Sequence, residues 1–467
     1  MNDNIILIFS LFAVCLGFMS YGYYVSRGKI SESAFLVSDR NINSLSLTFS
    51  LTASCFGIWI LIGPAEASTW GGVGAVIGYA AGQSFVFLYF SKIGEKIRRI
   101  FPKSKSLTEV IIKRYDNKVF KLILILTILY LYVYFCAEVT AIAKVVNLIL
   151  GAPLWLTAAL TIISTLIYSL KGGLKISIIT DKFQFWIIVI FLVIIFIILN
   201  QKVDFLSPKL ITNSSNKLNI GFGGFTAGLT FFIAVFATNL FDQGIWQRVY
   251  AAKNLEHLKK SFVATFYIVF ITILLLGLVG IYASINGKIK DPSTIIFSIL
   301  VNKQYLLLNL IILILSLTLV LSSLDTLIAG ISSLFVIHTK QIVKKKNINN
   351  FYILSGIILA GSAFYISSKG MSVLYLFLLA DLLCCAAAVP IFYGFYNKKI
   401  KSSDVYLAII CGIIFGLLLF PSLDFSKSIL IGTLFNKSLF PALISNYLLF
   451  WSFVVALISP AFFILRK

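Results

Sequence analysis

Residues 45–66 read LSLTFSLTASCFGIWILIGPAE, an apolar stretch long enough to cross a membrane but broken in its middle. The segment ASCFG at 53–57 and the pair GP at 63–64 interrupt what would otherwise be a uniform helix. A second stretch, 222–241, contains three glycines and runs into the polar segment DQG at 242–244. Interrupted helices at corresponding places in two halves are typical of secondary transporters with inverted repeats. The two stretches therefore predict a transporter with a site near the middle of the membrane.

The composition indicates a polytopic membrane protein. The 467 residues are 59% hydrophobic and only 12% charged, with a mean hydropathy of +0.99, so a water-soluble globule is excluded. Apolar runs of about 20 residues suit helices that cross about 30 Å of hydrocarbon. We predict an all-α protein of about thirteen spans, with the first run retained rather than cleaved. The predicted spans are 4–25, 44–66, 71–91, 119–149, 153–170, 176–200, 221–243, 260–285, 304–337, 351–367, 371–396, 405–420 and 443–465.

The net charge of +22 is distributed over alternate loops, which argues against a nucleic-acid partner. If the N-terminus is outside, the inner loops and the C-terminus hold 27 lysines and arginines, whereas the outer loops hold 9. Basic residues concentrate on the cytoplasmic side of membrane proteins. We therefore predict an inner-membrane protein with its N-terminus outside and its C-terminus in the cytoplasm.

Ionisable side chains within the predicted spans are the first candidates for function, because each costs about 2.5–3.5 kcal/mol to insert. Asp242, at the exit of the seventh span, is a borderline member of this group. The five clear members are Glu66, Glu138, Asp181, Asp325 and Asp381.

Three of these acids have structural alternatives. Asp181 is followed by Lys182 and is either part of an ion pathway or an anchor at the interface. Glu138 and Lys144 are six residues apart on different helix faces, which favours structural salt bridges with partners elsewhere. Asp381 has no motif beside it, which favours a carboxylate satisfied inside the bundle.

The ninth span contains a pattern that suits a cation. Leu319, Ser322 and Ser323 recur at helical spacing, so one carbonyl and two hydroxyls would share a stripe. Unwound carbonyls of Ala53 and Phe56 would complete an oxygen cage, which hard cations such as Na⁺ prefer. The alternative is that the serines bond to their own backbone or join neighbouring helices.

Four motifs make the chain resemble the solute:sodium symporter family, which includes bacterial proline, pantothenate, sialic acid and sugar symporters. The order of the motifs and the helices that carry them match that family over almost the whole chain. The matching segments are ASCFGIW…GP at 53–64, GGLK…TDKFQ at 172–184, DQ…QR…AAK at 242–253 and LSSLD at 321–325.

This resemblance implies a LeuT-type bundle in one transporter domain, residues 1–467. A leading helix and loop (1–43) would precede five-helix inverted repeats at 44–200 and 221–396, and two trailing helices would follow (397–467). The resemblance also implies a sodium ion held by the carbonyls of Ala53, Phe56 and Leu319 and the hydroxyls of Ser322 and Ser323. Asp181 matches a position that in some members is part of a second sodium site. The alternative is that Asp181 binds a proton.

We expect a carrier rather than an enzyme: a sodium-coupled symporter that imports a small organic solute by alternating access, as a monomer in the lipid bilayer. An amino acid, a carboxylate, urea or a vitamin would each suit. Two alternatives are a proton-coupled carrier on the same fold, with Asp181 or Asp325 titrating, and a solute sensor without net transport. The residues expected to line or gate the solute site are Trp59, Glu66, Gln83, Thr238, Asn239 and Asp242, with simple packing as the alternative for Trp59.

Overall fold

The computed structural model describes most of the chain. The described residues are 3–25, 31–202, 218, 220–286, 291–301, 305–342, 348–397, 399–423, 425, 427–431 and 442–464. Within them the chain is helical and forms no β-strand, only two isolated β-bridges. The all-α prediction is therefore confirmed for this part of the protein.

The first half of the described chain contains seven α-helices. They are α1 (Asp3–Val25), α2 (Glu32–Val37), α3 (Ser44–Cys55), α4 (Trp59–Ile100), α5 (Leu107–Arg114), α6 (Asn117–Leu150) and α7 (Leu154–Lys202). A short 3₁₀ helix, Ser38–Arg40, follows α2.

The second half adds eleven helices. They are α8 (Phe222–Asn239), α9 (Gln243–Ala251), α10 (Leu255–Asn286), α11 (Ile295–Leu300), α12 (Leu306–Ile342), α13 (Ile348–Ser368), α14 (Val373–Tyr393), α15 (Ser402–Leu419), α16 (Ala442–Ser445), α17 (Leu448–Ile458) and α18 (Ala461–Ile464). A 3₁₀ turn, Pro292–Thr294, precedes α11.

Each of the two stretches contains a helix break, but not at every predicted residue: Gly63 and Pro64 lie within α4, and the three glycines of 222–241 lie within α8. Helix α3 ends at Cys55 and α4 begins at Trp59, and Phe56 between them has φ −90° and ψ 77°. Helix α8 ends at Asn239, and α9 begins at Gln243 behind the N-cap residue Asp242, so three residues separate the two helices. Each break exposes the end of one half-helix and the start of the next, which gives the polar surface a midplane site needs.

The predicted count of thirteen spans is not confirmed. By length and composition, eight helices in the described part of the chain can cross a membrane, and four shorter apolar helices accompany them. Two predicted spans, 153–170 and 176–200, form the single helix α7 of 49 residues. The last predicted span is divided among α16, α17 and α18.

A glycine turn folds α4 back on itself between two of the predicted spans. Gly71 has φ −129° and Gly72 has φ 55° with ψ −142°. The chain folds back there, because the Trp59 and Tyr79 rings on either side of the turn lie 5.8 Å apart. Only glycine adopts the Gly72 conformation without strain. The turn allows the broken first half of α4 and its regular second half to lie side by side.

Close glycine contacts bring α4 against α8. A Cβ atom added at Gly78 would collide with the backbone of Gly228, and one at Gly74 would collide with that of Gly224. Small residues let helix backbones approach in membranes. The regular second half of α4 is thereby held against the broken helix α8.

The repeat boundaries 44–200 and 221–396 and the orientation of the termini stay predictions. Residues 203–217 between the repeats, part of the trailing region at 432–441, and the C-terminal residues 465–467 lie outside the described residues.

Candidate functional site

Glu138 on α6 caps the first helix break. Its Oε2 accepts a hydrogen bond from the amide of Ile58 (3.0 Å) and its Oε1 accepts one from the amide of Trp59 (3.2 Å). The hydroxyl of Ser323 also donates to Oε2, at 2.7 Å. Glu138 is completely buried, and a Cβ atom at Gly57 would lie within 3 Å of its carboxylate. A carboxylate is therefore fixed where the second half-helix starts.

The physical reason is the unsatisfied start of a helix. The first amides of α4 have no acceptor within the helix, and the helix dipole adds partial positive charge there. The prediction of a salt bridge for Glu138 is wrong among the described residues, whereas Lys144 does form one, with Asp291 at 3.0 Å. The capping role of Glu138 could have been predicted from the sequence. Glu138 is an acid inside an apolar span, and the amides at a helix break need a hydrogen-bond acceptor.

Two of the residues expected to hold sodium, Ala53 and Ser322, contact each other near this cap. The hydroxyl of Ser322 lies 3.4 Å from the carbonyl oxygen of Ala53, across the interface between α12 and α3. The non-helical ψ of Phe56 turns its carbonyl out of the α3 hydrogen-bond ladder. Leu319 is buried on α12, one turn before Ser323. The Ser323 hydroxyl contacts Glu138 and the carbonyl of Val320 (3.0 Å).

Asp181 forms a buried ion pair with Arg248. The Arg248 Nη2 lies 2.8 Å from Asp181 Oδ2, and both side chains are almost completely inaccessible to solvent. Ser50 joins them: its hydroxyl donates to the same Oδ2 at 2.5 Å and accepts from Arg248 Nε at 2.8 Å. Asp181 Oδ1 lies 3.5 Å from the Ser322 hydroxyl.

The neighbouring lysines do not supply this partner. Lys175 instead pairs with Asp39 at 3.8 Å. The sequence places Arg248 in a family motif but does not identify it as the partner of Asp181. The two residues lie 67 positions apart in the chain, on different helices.

Two of the predicted solute-site residues form a reciprocal amide pair. The Asn239 Nδ2 donates to Gln83 Oε1 (3.0 Å), and Gln83 Nε2 donates to Asn239 Oδ1 (3.3 Å). Gln83 also contacts the sulfur of Cys55 (3.0 Å) at the end of α3. The pair therefore connects the two helix breaks.

The other predicted solute-site residues lie around this pair in different settings. Thr238 lies 3.5 Å from the carbonyl oxygen of Asp381 on α14. Asp242 accepts from the amide of Ile245 (2.9 Å) and so caps α9. Trp59 stacks on Tyr79, with ring centroids 5.8 Å apart.

Glu66 lies apart from the amide pair, against the start of α14. It accepts a hydrogen bond from Ser372 at 3.2 Å, and its second oxygen, Oε2, is buried without a hydrogen-bond partner. The structure therefore brings Gln83 and Asn239 together and places Glu66 beside a different element.

Aromatic rings connect this region to a cavity of about 400 Å³ lined by residues of α4, α8, the loop after α15 and α17. Phe231 lies 5.3 Å from Tyr79 and 6.0 Å from Trp70, and Trp70 contacts Phe425 at 4.7 Å. If the predicted orientation holds, this cavity opens on the outer side of the membrane.

Comparison with known proteins identifies the fold. The chain aligns with a Na⁺-coupled sialic acid symporter solved in a substrate-bound outward-open state, with a TM-score of 0.73 and 15% identity, covering 99% of this chain and 98% of that one. It also aligns with Mhp1, a nucleobase-cation-symport-1 family transporter in a closed conformation, with a TM-score of 0.54 and 11% identity over 92% and 94% of the two chains. Both likenesses show the LeuT-like fold alone.

A curated relative is the spermidine transporter DUR31 of Candida albicans, which is 23% identical over 278 residues. The match covers 58% of this chain and about half, 53%, of the relative. The model of the sodium:solute symporter family matches residues 35–412. The helices indicate a multi-pass membrane protein, and the matched family consists of transporters rather than enzymes. Because the family match includes well over half of its residues, the chain belongs to the sodium:solute symporter family.

Proposed function

We propose that the protein couples the inward flow of sodium to the import of a small organic solute. The main support for this proposal is that the Ser322 hydroxyl lies 3.4 Å from the Ala53 carbonyl oxygen at a helix break. Sodium would bind the carbonyls of Ala53, Phe56 and Leu319 with the hydroxyls of Ser322 and Ser323. Neutral oxygens of this kind replace the hydration shell of a hard cation.

The Glu138 carboxylate favours a cation at this place, whereas the charge of Asp181 is balanced by Arg248. Glu138 touches one proposed ligand, Ser323, and Asp181 lies 3.5 Å from the other, Ser322. Each inward sodium would gain about 2.3 kcal/mol per 100 mV of membrane potential. Asp181 Oδ1, the oxygen that does not contact Arg248, is the candidate ligand for a second sodium or a proton.

The solute would bind beside the Gln83–Asn239 pair, with Trp59, Glu66, Thr238 and Asp242 as the other candidate lining or gating residues. Both helix breaks meet there, so movement of one half-helix against the other would open the site to alternate sides. The family relative that transports spermidine adds amines to the amino acids, carboxylates, urea and vitamins considered above.

A proton-coupled carrier on the same fold is the second candidate. The buried carboxylates of Glu138 and Asp181 beside the ion site favour it, because either one would carry a proton in place of sodium. We place the carrier, in either case, in a bacterial-type inner membrane as a monomer, with its N-terminus outside.

Purified protein in detergent would test sodium binding without any solute. We expect sodium, but not an equal concentration of potassium, to raise the thermal unfolding temperature, because only a ligand that binds the folded state stabilises it. Equal stabilisation by the two salts at all pH values would contradict sodium coupling. Stabilisation by acid alone would favour the proton-coupled carrier.

A further inference from the structure

The protein's own carboxylates already occupy both half-helix starts. Glu138 accepts from the first amides of α4, and Asp242 accepts from the amide of Ile245 in α9. In transporters with broken helices, such positive ends receive the anionic group of the substrate. In this protein Glu138 and Asp242 already interact with the two positive helix ends. A carboxylate on the solute would therefore find no free helix end at either break.

The same region contains two further buried carboxylates. Glu66 is 3% exposed and Asp381 is 6% exposed, and neither forms an ion pair with any described residue. Lys144 acts on Glu66 electrostatically but is bound to Asp291 at 3.0 Å. An isolated buried carboxylate is costly unless a cation or hydrogen bonds compensate it. Glu66 Oε2 has no hydrogen-bond partner among the described residues, so a cationic ligand would stabilise this carboxylate.

Aromatic rings pack together on the two helices that carry these carboxylates. Trp59 stacks on Tyr79 and meets Phe377 edge-on at 6.5 Å, and Phe377 is one helical turn before Asp381 on α14. Trp59 precedes Glu66 by seven residues, which is about two turns of α4. Cations bind favourably against such ring faces. The indole nitrogen of Trp59 is also buried without a hydrogen-bond partner.

The separation of the carboxylates limits the shape of the ligand. Glu66 is bonded to Ser372, which is nine residues before Asp381, so their attachment points differ by ~13 Å along the axis of α14. A compact single cation cannot lie beside both. A linear molecule with a cationic nitrogen near each end can.

We propose that the solute is a linear amine with at least two cationic nitrogens and no carboxylate. One nitrogen binds Asp381, another binds Glu66, and the chain between them lies against Trp59 and Tyr79. This inference rests on the proposed function as a solute carrier, and it narrows the candidate solutes by excluding amino acids and other carboxylates.

The direct test is uptake of radiolabelled spermidine into proteoliposomes containing the full-length protein, with an inward sodium gradient or an equal potassium gradient. We expect sodium-driven uptake that unlabelled spermidine abolishes and that a hundredfold excess of proline or choline leaves unchanged. Inhibition by proline would refute the exclusion of carboxylates. If choline, which has one cationic nitrogen, inhibits uptake at the same concentration as unlabelled spermidine, the solute does not need two cationic nitrogens. That result would refute binding to both Asp381 and Glu66.

Asp381→Asn retains the shape of the side chain and removes its charge. We expect at least tenfold weaker spermidine binding in this variant, whereas Glu256→Gln, which removes an exposed carboxylate outside the site, should bind as the unmodified protein does. Spermidine affinity that is the same in both variants would overturn the assignment of Asp381.

Sodium-induced thermal stabilisation, measured in the same samples without amine, separates this inference from the proposed function. If sodium stabilises the protein but spermidine neither binds nor moves, the amine assignment is wrong and sodium coupling stands. If spermidine binds and moves without sodium, the amine assignment stands and sodium coupling is wrong. A variant that has lost its fold would fail the stabilisation measurement, and Glu66→Gln would then provide the independent comparison.

Discussion

Replacing Glu138 by Gln should weaken sodium binding and destabilise the first helix break together. The carboxylate accepts three hydrogen bonds, from the amides of Ile58 and Trp59 and from the hydroxyl of Ser323. Gln has the same shape but offers one acceptor oxygen, and its NH₂ group must face at least one of these three donors. Hydrogen bonds to charged groups contribute about 1.5–3 kcal/mol each, so the loss should be about 2–4 kcal/mol.

The effect on the ion follows from charge and distance. Glu138 Oε2 lies 2.7 Å from the Ser323 hydroxyl, so a sodium ion on that hydroxyl would be about 5 Å from the carboxylate. At an effective dielectric constant of about 20, the attraction over that distance is about 3 kcal/mol. Allowing for solvent and salt, we expect the half-saturating sodium concentration to rise at least tenfold, which corresponds to about 1.4 kcal/mol.

Sodium titrations of purified protein, followed by intrinsic tryptophan fluorescence and by thermal unfolding, measure both effects. Gly57→Ala is an independent second variant, because its Cβ would displace the Glu138 carboxylate without removing it. The exposed Glu256→Gln is the matched control. If Glu138→Gln and Gly57→Ala both retain the sodium affinity and unfolding temperature of the control, Glu138 neither caps the break nor acts on the ion.

Three further predictions concern the ion site and the topology. Ser323→Ala should raise the sodium concentration for half-maximal solute uptake at least tenfold, because a hydroxyl ligand is lost, and unchanged kinetics in well-expressed protein would argue against the ligand set. Asp181→Asn leaves the buried Arg248 without its ion-pair partner, so the thermal unfolding temperature should fall by an amount equivalent to about 3–5 kcal/mol. If Asp181 also binds a second sodium, the Hill coefficient for sodium should drop from near two to near one in this variant. An unchanged Hill coefficient would contradict a second sodium at Asp181. Lys103→Cys, at an exposed position between α4 and α5, should resist an impermeant maleimide in intact cells and react in inverted vesicles, in a background without native cysteines, and labelling from outside would reverse the predicted orientation.

The helical elements and both breaks were predictable because local chemistry determines them. Long apolar runs form helices in a membrane whatever surrounds them, since the backbone must satisfy its own hydrogen bonds there. Gly57 and Asp242 lie in the two breaks, at 56–58 and 240–242, whereas Gly63, Pro64 and Gly228 lie within helices. Exact boundaries were less predictable: nothing in the apolar pattern distinguishes two spans at 153–200 from the single helix α7.

The sequence by itself determined an all-helical membrane carrier with two interrupted helices, acids within its spans and a serine pair suited to sodium. Only the tertiary structure decided which acid meets which partner. Glu138 contacts a break 79 residues earlier in the chain, and Asp181 finds Arg248 rather than a neighbouring lysine. Such pairings depend on how helices pack and rotate, and hydrophobic periodicity does not encode the partner of a polar side chain. The charge balance of the site, and with it the class of solute that suits it, therefore emerged from the folded arrangement.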